Sequence, residues 1–215
     1  MHLHSVMITY NRLELTKRAI ESYLETRTGP GTLVVVDNGS TDGTEEWLWN
    51  EFNVEGTGVE LLKENKYPGY ACNRGWEQAS PDTVLLHRAD NDFVFLPGWE
   101  THVRLRFSAD PELGQLGLRT DEEEMFNGHN VGGNCVIRKE LWDQGLRYDE
   151  RPWPKIAAKV PGYTEDSFFS PAVKKMGWDW GRVTQPCIQP ISSEDPNDPY
   201  YQETWRLRGI KPPGG

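Results

Sequence analysis

The stretch Leu33-Val34-Val35-Val36-Asp37-Asn38-Gly39-Ser40-Thr41-Asp42-Gly43 decides how the rest of the chain is read. Four apolar residues, three of them β-branched, run without alternation. That pattern marks a strand covered on both faces, as in a parallel sheet. A carboxylate, Asp37, ends the run. Asn38-Gly39 and Asp42-Gly43 are good turn dipeptides, and Thr41 or Asp42 can cap a helix running to Phe52.

Working outward, the same alternation of elements repeats. Leu3 to Thr9 reads as a buried strand, and Leu13 to Thr28 as a helix stopped by Gly29-Pro30-Gly31. On the other side, Val59 to Leu62 reads as a strand, Gly69 to Ala79 as a helix and Thr83 to Leu86 as a strand. Such βα units imply an α/β fold with a mostly parallel central sheet, right-handed crossovers and flanking helices. After Pro97 the pattern loosens. Helices are expected over Trp99–Ala109, Lys139–Gln144 and Glu165–Lys175, and strands over Gly114–Arg119, Val131–Ile137 and Trp178–Thr184. Asp121–Glu124 reads as an acidic turn. Tyr148–Tyr163, with Pro152, Pro154 and Pro161, reads as a long loop of the kind that often binds or closes over a ligand. The last dozen residues read as a loose tail.

Composition narrows the function classes. A length of 215 residues suits one domain, or one with a short appendage. Nine Trp, eight Tyr and seven Phe exclude a disordered chain. The net charge of −10 argues against tight binding to duplex phosphates. No apolar run is long enough to span a bilayer, and Met1-His2-Leu3-His4 leads into a strand rather than a signal peptide. Cys72, Cys135 and Cys187 are odd in number and widely spaced, against a disulfide framework or a zinc site. A reducing cytoplasm is the expected compartment.

Ligands of open parallel sheets bind outside the carboxyl ends of the strands. The residues following the first four strands are Thr9-Tyr10-Asn11-Arg12, Asp37-Asn38-Gly39, Asn65 with Gly69, and Asp90-Asn91-Asp92. Each strand end carries polar, hydrogen-bonding residues on one expected rim. Asp37, at the end of a buried strand, must be paired or hydrogen-bonded. It reads either as a turn or capping acid or as an acceptor for a nucleobase or ribose. Asp90 and Asp92 form a pair of hard oxygen ligands suited to Mg2+ or Mn2+ beside a diphosphate. Glu165-Asp166 opens a helix, where acids are favoured electrostatically, and also reads as a general base.

Together, VMITYNR (6–12), VVVDNGSTDGT (34–44), ENKYPGYACNRG (64–75), ADNDFVFLPGW (89–99), VGGNCVIRKELWD (131–143) and EDSFF (165–169) resemble family 2 glycosyltransferases of the GT-A fold. The order and spacing match, over roughly residues 3 to 185, and the chain is similar to compact single-domain members, including bacteriophage-encoded ones. The resemblance implies a GT-A, nucleotide-diphospho-sugar transferase domain over residues 1–190, a Rossmann-like sandwich, with 191–215 as a C-terminal tail. It implies transfer of a sugar from a nucleotide-diphosphate sugar, UDP in most such enzymes, to an acceptor hydroxyl with inversion, assisted by Mn2+ or Mg2+. Thr9, Asn11, Arg12, Asp37 and Asn38 would line the nucleotide pocket. Asn65, Gly69 and Asn73 would border the nucleoside. Asp90 would face the ribose or the metal, Asp92 would ligate it, and Gly132, Gly133 and Asn134 would border the donor sugar. Asp166 would be the catalytic base, with Glu165 beside it.

In one respect the chain departs from the family. Many members carry a late histidine completing the metal or phosphate site; Gln185 to Ser193 contains none, and of five histidines only His87 and His129 lie near the motifs. Trp153 reads either as a ring stacking on a sugar or as an anchor for its loop. Arg138, Lys139, Arg147, Arg151, Lys155 and Lys159 read as solvated surface or as a contact for an anionic acceptor. The acceptor is open: a glycan, a protein, a lipid-linked sugar or a hydroxylated nucleobase. Rival readings are a sugar nucleotidyltransferase, which would need a glycine-rich basic loop where this chain has TYNRLELT, and a non-catalytic nucleotide-sugar or glycan-binding module.

Overall fold

The computed structural model describes residues 1–52, 54–118, 131–192 and 199–211. The acidic stretch Asp121–Glu124, His129, and the strand and tail residues Arg119 and Ser193 lie outside the described residues. The strands are β1 (His2–Thr9), β2 (Gly31–Asp37), β3 (Thr57–Leu61), β4 (Thr83–Asp90), β5 (Phe93–Phe95), β6 (Leu113–Gly117), β7 (Cys135–Arg138), β8 (Asp179–Arg182) and β9 (Ile188–Pro190). The helices are α1 (Leu13–Thr26), α2 (Thr44–Asn50), α3 (Tyr67–Trp76), α4 (Trp99–Ala109), α5 (Lys139–Asp143), α6 (Trp153–Ala157), α7 (Phe169–Lys175) and α8 (Pro199–Leu207).

Seven strands form one sheet in the order β3-β2-β1-β4-β7-β6-β8. The pairs β1–β2, β1–β4, β2–β3 and β6–β8 are parallel, and β7 runs antiparallel to both its neighbours. The mostly parallel α/β sheet expected from the sequence is therefore present, and β5 and β9 add a small antiparallel ribbon beside it. Among the described residues no helix is long and apolar enough to cross a membrane.

Alternation along β1 builds a core on each face. Leu3 and Met7 pack with Ala19, Ile20 and Tyr23 of α1 and Trp99, Val103 and Phe107 of α4. Val6 and Ile8 pack with Ala71, Cys72 and Trp76 of α3 and Phe169 and Val173 of α7. Polar residues in the strand are answered by the helices. Ser5 accepts from Tyr23 Oη at 2.8 Å, and His4 Nε2 lies 2.9 Å from the Gly75 carbonyl. Cys72, Cys135 and Cys187 are buried, and burial pushes each thiol above its ordinary range. Trp178 and Trp180, read as core, are partly buried against the second cluster.

Several boundaries differ from the sequence reading for local reasons. Helix α1 stops at Thr26 because the buried Glu100 carboxylate takes the Thr28 and Gly29 amides at 2.5 and 2.8 Å. Asp42 serves two helix starts, accepting from the Leu13 amide at 2.9 Å and the Thr44 amide at 3.1 Å. The helix expected from Glu165 begins as a 3₁₀ turn, Glu165–Phe168, capped by Thr164, and becomes α7 only at Phe169. The long loop holds the short helix α6, and the 191–215 tail holds α8, whose last turn reaches into the dozen residues read as loose.

His87 of β4 belongs to the core and not to the rim. Its ring packs 5.2 Å from Trp99 and 5.6 Å from Phe95, with Nδ1 3.0 Å from Ser5 Oγ. Burial lowers its pKa to about 3. An unfolded histidine takes its proton near pH 6.5, so between these values the unfolded state binds more protons and stability falls as pH falls. Replacement by Phe removes that proton. Urea midpoints measured between pH 7 and 4 will fall more steeply for the wild type than for His87→Phe, by up to about 1.4 kcal/mol per pH unit; parallel lines would refute the assignment.

Candidate functional site

The sheet register brings the strand ends level. Thr9 pairs with Asp37, Ile8 with Asp90, and Asp37 with Leu61. Above this rim lies a cavity of about 320 Å3. Its walls include Tyr10, Asn38 and Asn65 at one side, Asp90, Asn91 and Asp92 beyond the β4 tip, and Trp153, Glu165 and Asp166 opposite. The roof is α8 and the residue after it, through Tyr200, Tyr201, Glu203, Thr204, Leu207 and Arg208.

The residues singled out from the sequence divide into two groups. Asn38, Asn65, Asp90, Asp92 and Asp166 share the cavity wall; Thr9, Asn11, Arg12, Asp37, Gly69, Asn73, Gly133 and Asn134 are not among the lining residues. The second group holds the first in place. Asp37 is fully buried and accepts from the Ser40 amide at 2.9 Å and from Ser40 Oγ. Burial raises its pKa, opposed by the Ser40 hydrogen bonds. Asn11 and Arg12 both adopt left-handed backbone, φ 55° and 66°. Asn11 is locked there by accepting from the Thr41 amide at 2.8 Å and donating its own amide to Ser40 Oγ at 2.7 Å. Thr9 Oγ1 lies 2.8 Å from Thr16 Oγ1 and accepts from Asn91 Nδ2 at 3.2 Å. Asn38 Oδ1 accepts from the Lys66 amide at 2.8 Å, which ties the β2 loop to the start of α3.

Asn134 precedes β7 and holds the β4 tip: its Oδ1 accepts from the Asp90 amide at 2.9 Å and its Nδ2 donates to Asp90 Oδ2 at 3.1 Å. A Cβ on Gly133 would sit 2.8 Å from Asp90 Oδ2 and 2.9 Å from Arg88 Nη2, so a larger residue would displace both side chains. Asn73 bridges α3 to the loop after α5, donating to the Tyr148 carbonyl at 3.0 Å and accepting from the Tyr148 amide at 3.1 Å.

Asp92 is ion-paired with Arg12 at 3.2 Å and accepts from Ser192 Oγ at 3.3 Å. Burial raises its pKa, reinforced by the charge of Asp90 and opposed by Arg12. Two hard carboxylates on one wall fit Mg2+ or Mn2+. Among the described residues no third His, Cys, Asp or Glu joins them, so phosphate and water oxygens would have to complete the shell. Asp166 faces the cavity with Oδ1 taking the Thr164 hydroxyl at 2.5 Å. Glu165 beside it points inward, 2% exposed, paired with Arg88 at 2.9 Å and accepting from Trp153 Nε1. Burial raises its pKa, with Arg88 opposing.

The sequence reading did not single out Tyr10, Tyr67, Arg88 or the α8 residues. Arg88 gave a signal, because a cation inside the apolar strand Val84-Leu85-Leu86-His87-Arg88-Ala89 must find buried acids. Tyr67, left-handed at φ 68° without being glycine, gave none, whereas α8 carries one in Pro199 at its first position, Tyr201 and Trp205 four apart, and Gly209 after its end. Trp153 both lines the cavity and anchors its loop, through its indole bond to Glu165. Four of the six basic residues considered for an anionic acceptor are engaged within the protein. Arg138 donates to the carbonyls of Leu113, Phe107 and Asp110, Lys139 pairs with Asp143, Arg147 lies over Trp142 and Arg151 pairs with Asp149.

The model of glycosyl transferase family 2 matches residues 5–147, well over half of the chain. The chain belongs to that family. Asp166 lies beyond the matched stretch. No curated protein sequence matches the chain. Among solved structures, this family 2 chain is similar to the mannosyltransferase PcManGT from Pyrobaculum calidifontis in complex with GDP-Man and Mn2+, at 18% identity and TM-score 0.70, covering 96% of this chain and 60% of that one. It is also similar to S. aureus TarS 1-349, at 18% identity and TM-score 0.68, covering 97% and 64%. The complex of TarS 1-349 with UDP-GlcNAc gives 17% and 0.67, covering 97% and 65%. This chain thus spans less than two thirds of the length of each, and the likeness establishes the GT-A fold.

Gly69 earns its place by packing rather than by touching a ligand. A Cβ there would lie 2.2 Å from the Asp149 carbonyl oxygen and 3.1 Å from Glu165 Cβ. Gly69→Ala will therefore push the Asp149 segment off α3 and destabilise the fold by about 1–3 kcal/mol in urea titrations; an unchanged midpoint would show that the backbone yields freely there.

Proposed function

We propose that this family 2 chain transfers a sugar from a nucleotide-diphosphate sugar, with UDP as the carrier, to an acceptor hydroxyl with inversion of the anomeric centre. The observation that carries the reading is the single cavity whose walls hold Asn38, Asn65, Asp90, Asp92 and Asp166 together. Residues 1–190 would form the catalytic domain, and α8 within 191–215 would close the cleft over the donor.

Asn38, Asn65 and the Tyr10 ring would receive the base and ribose, on a loop that the Asp37–Ser40 turn keeps in shape. Asp90 and Asp92 would hold Mg2+ or Mn2+, which when bound neutralises charge on the departing diphosphate. Arg12, paired with Asp92, would bring a fixed positive charge to the same end of the cavity. Gly133 and Asn134 would set Asp90 against the donor sugar. Asp166 would remove the acceptor proton as the acceptor oxygen attacks the anomeric carbon from the face opposite the diphosphate; one such displacement inverts the centre. The Thr164 hydroxyl leaves Asp166 Oδ2 available for that proton.

Incubation with UDP- and GDP-sugars and Mn2+ will give slow hydrolysis to the nucleoside diphosphate, strongest with one UDP-sugar and abolished by EDTA. Silence with every donor would overturn the reading. Loss of a positioned base removes about 10²- to 10⁴-fold in rate. Asp166→Asn will accordingly lose turnover by that factor while the donor Kd from calorimetry stays near wild type; equal losses in both would remove Asp166 from the role of base.

A further inference from the structure

Arg88 sits on the cavity wall at the tip of β4, yet its side chain is only 4% exposed. One nitrogen, Nη2, reaches two acids on different elements: Glu165 Oε1 at 2.9 Å and Asp90 Oδ1 at 3.4 Å. The guanidinium lies 4.8 Å from the Tyr148 ring centroid. Nε and Nη1 are buried with no hydrogen-bond partner among the described residues. An arginine buried at the cost of two unmade hydrogen bonds is retained for its charge and its geometry rather than for stability.

The two acids do not depend on it equally. Asp90 is held independently by Asn134. Glu165 has Arg88 as its ion-pair partner and the Trp153 indole as its other tether. Other ionisable groups around the guanidinium are Tyr148, Cys72 of α3, and Cys135 of β7, while Arg208, after α8, lies close enough to Glu165 and Asp166 to feel their charge. Removing Arg88 therefore strands a buried carboxylate on the inner side of the 3₁₀ turn whose outer side carries Asp166.

We propose that Arg88 is a positioning residue: by gripping Glu165 from beneath and Asp90 from the side, it fixes where Asp166 stands relative to the donor-facing acid. This rests on the donor-and-base reading of the cavity given above. A displacement near 1 Å of a group that must take a proton in flight costs about 100-fold in turnover. Donor affinity depends on groups that keep their own supports.

The test uses the whole chain, Mn2+ and the nucleotide sugar that the wild type hydrolyses fastest. The variants are Arg88→Met, Arg88→Lys and the charge-free pair Arg88→Met with Glu165→Met. Arg88→Met will lower Tm and cut kcat about 100-fold, with donor KM within about threefold of wild type. Arg88→Lys will keep about a tenth of wild-type turnover, since one ammonium can replace the charge but not the fork. The charge-free pair will regain Tm, because a buried ion pair can be replaced by packed apolar groups at little cost, while turnover stays at least about 30-fold down. Recovery of turnover together with Tm would overturn the proposal, as would a rise in KM matching the fall in kcat. A wild type that hydrolyses no nucleotide sugar overturns the donor reading and this proposal with it; an active wild type whose charge-free pair is also active overturns this proposal alone.

Discussion

The β1 strand is paired along its length with β2 on one side and β4 on the other, and its buried residues reach from Leu3 to Thr9. This pairing is the constraint on which the rest of the site depends. A parallel sheet puts its carboxyl ends on one edge, and a slip of one residue would turn every side chain to the opposite face. Leu3 and Met7 must meet α1 and α4 while Val6 and Ile8 meet α3 and α7, so the register is set by two cores at once. The levelling of Thr9, Asp37 and Asp90 at the rim follows from that register.

A rim so rich in acids needs support, and each acid has its own. Ser40 turns onto Asp37, Arg12 onto Asp92, Asn134 onto Asp90 and Arg88 onto Glu165. Apart from Ser40, which is local to Asp37, the supports come from distant parts of the chain, and most are not in the cavity themselves. Burial raises the pKa of Asp37, Asp92 and Glu165, and Ser40, Arg12 and Arg88 oppose it. Three arginines set positive charge against these acids: Arg12 on Asp92, Arg88 on Glu165 and Asp90, and Arg208, which lines the cavity.

The first half of the fold was legible because Leu33 to Val36 is an unbroken apolar run closed by turn dipeptides, and the family motifs lie at the ends of the strands around it. Leu33 to Gly43 alone carries a strand, a turn and a helix start. Asn38, Asn65, Asp90, Asp92 and Asp166 were legible as cavity residues on the same grounds. The division of labour within the motifs was not. Nothing in Thr9-Tyr10-Asn11-Arg12 says that the tyrosine faces the cavity while the asparagine ties two loops together. The inward placing of Glu165 is met by a partner, Arg88, that lies 77 positions earlier in the numbering and is brought near only by β4. Helix α8 follows a stretch of proline and acid, and its contact with Arg12, 4.2 Å from the Tyr200 ring, is a tertiary fact.

The reversed direction of β7 has a consequence for how such a protein can vary. The other strands around the cavity deliver residues as they leave the sheet; β7 delivers Gly133 and Asn134 as the chain enters it. Added or lost residues just upstream of Cys135 would be felt at the β4 tip, where a Cβ on Gly133 would already press on Asp90 and Arg88. The same change just downstream of Arg138, at the start of α5, falls on the far border of the sheet. Tolerance to insertion is thus inverted at this one strand, and a library that diversified only the outgoing loops would leave untouched the segment whose Asn134 holds Asp90.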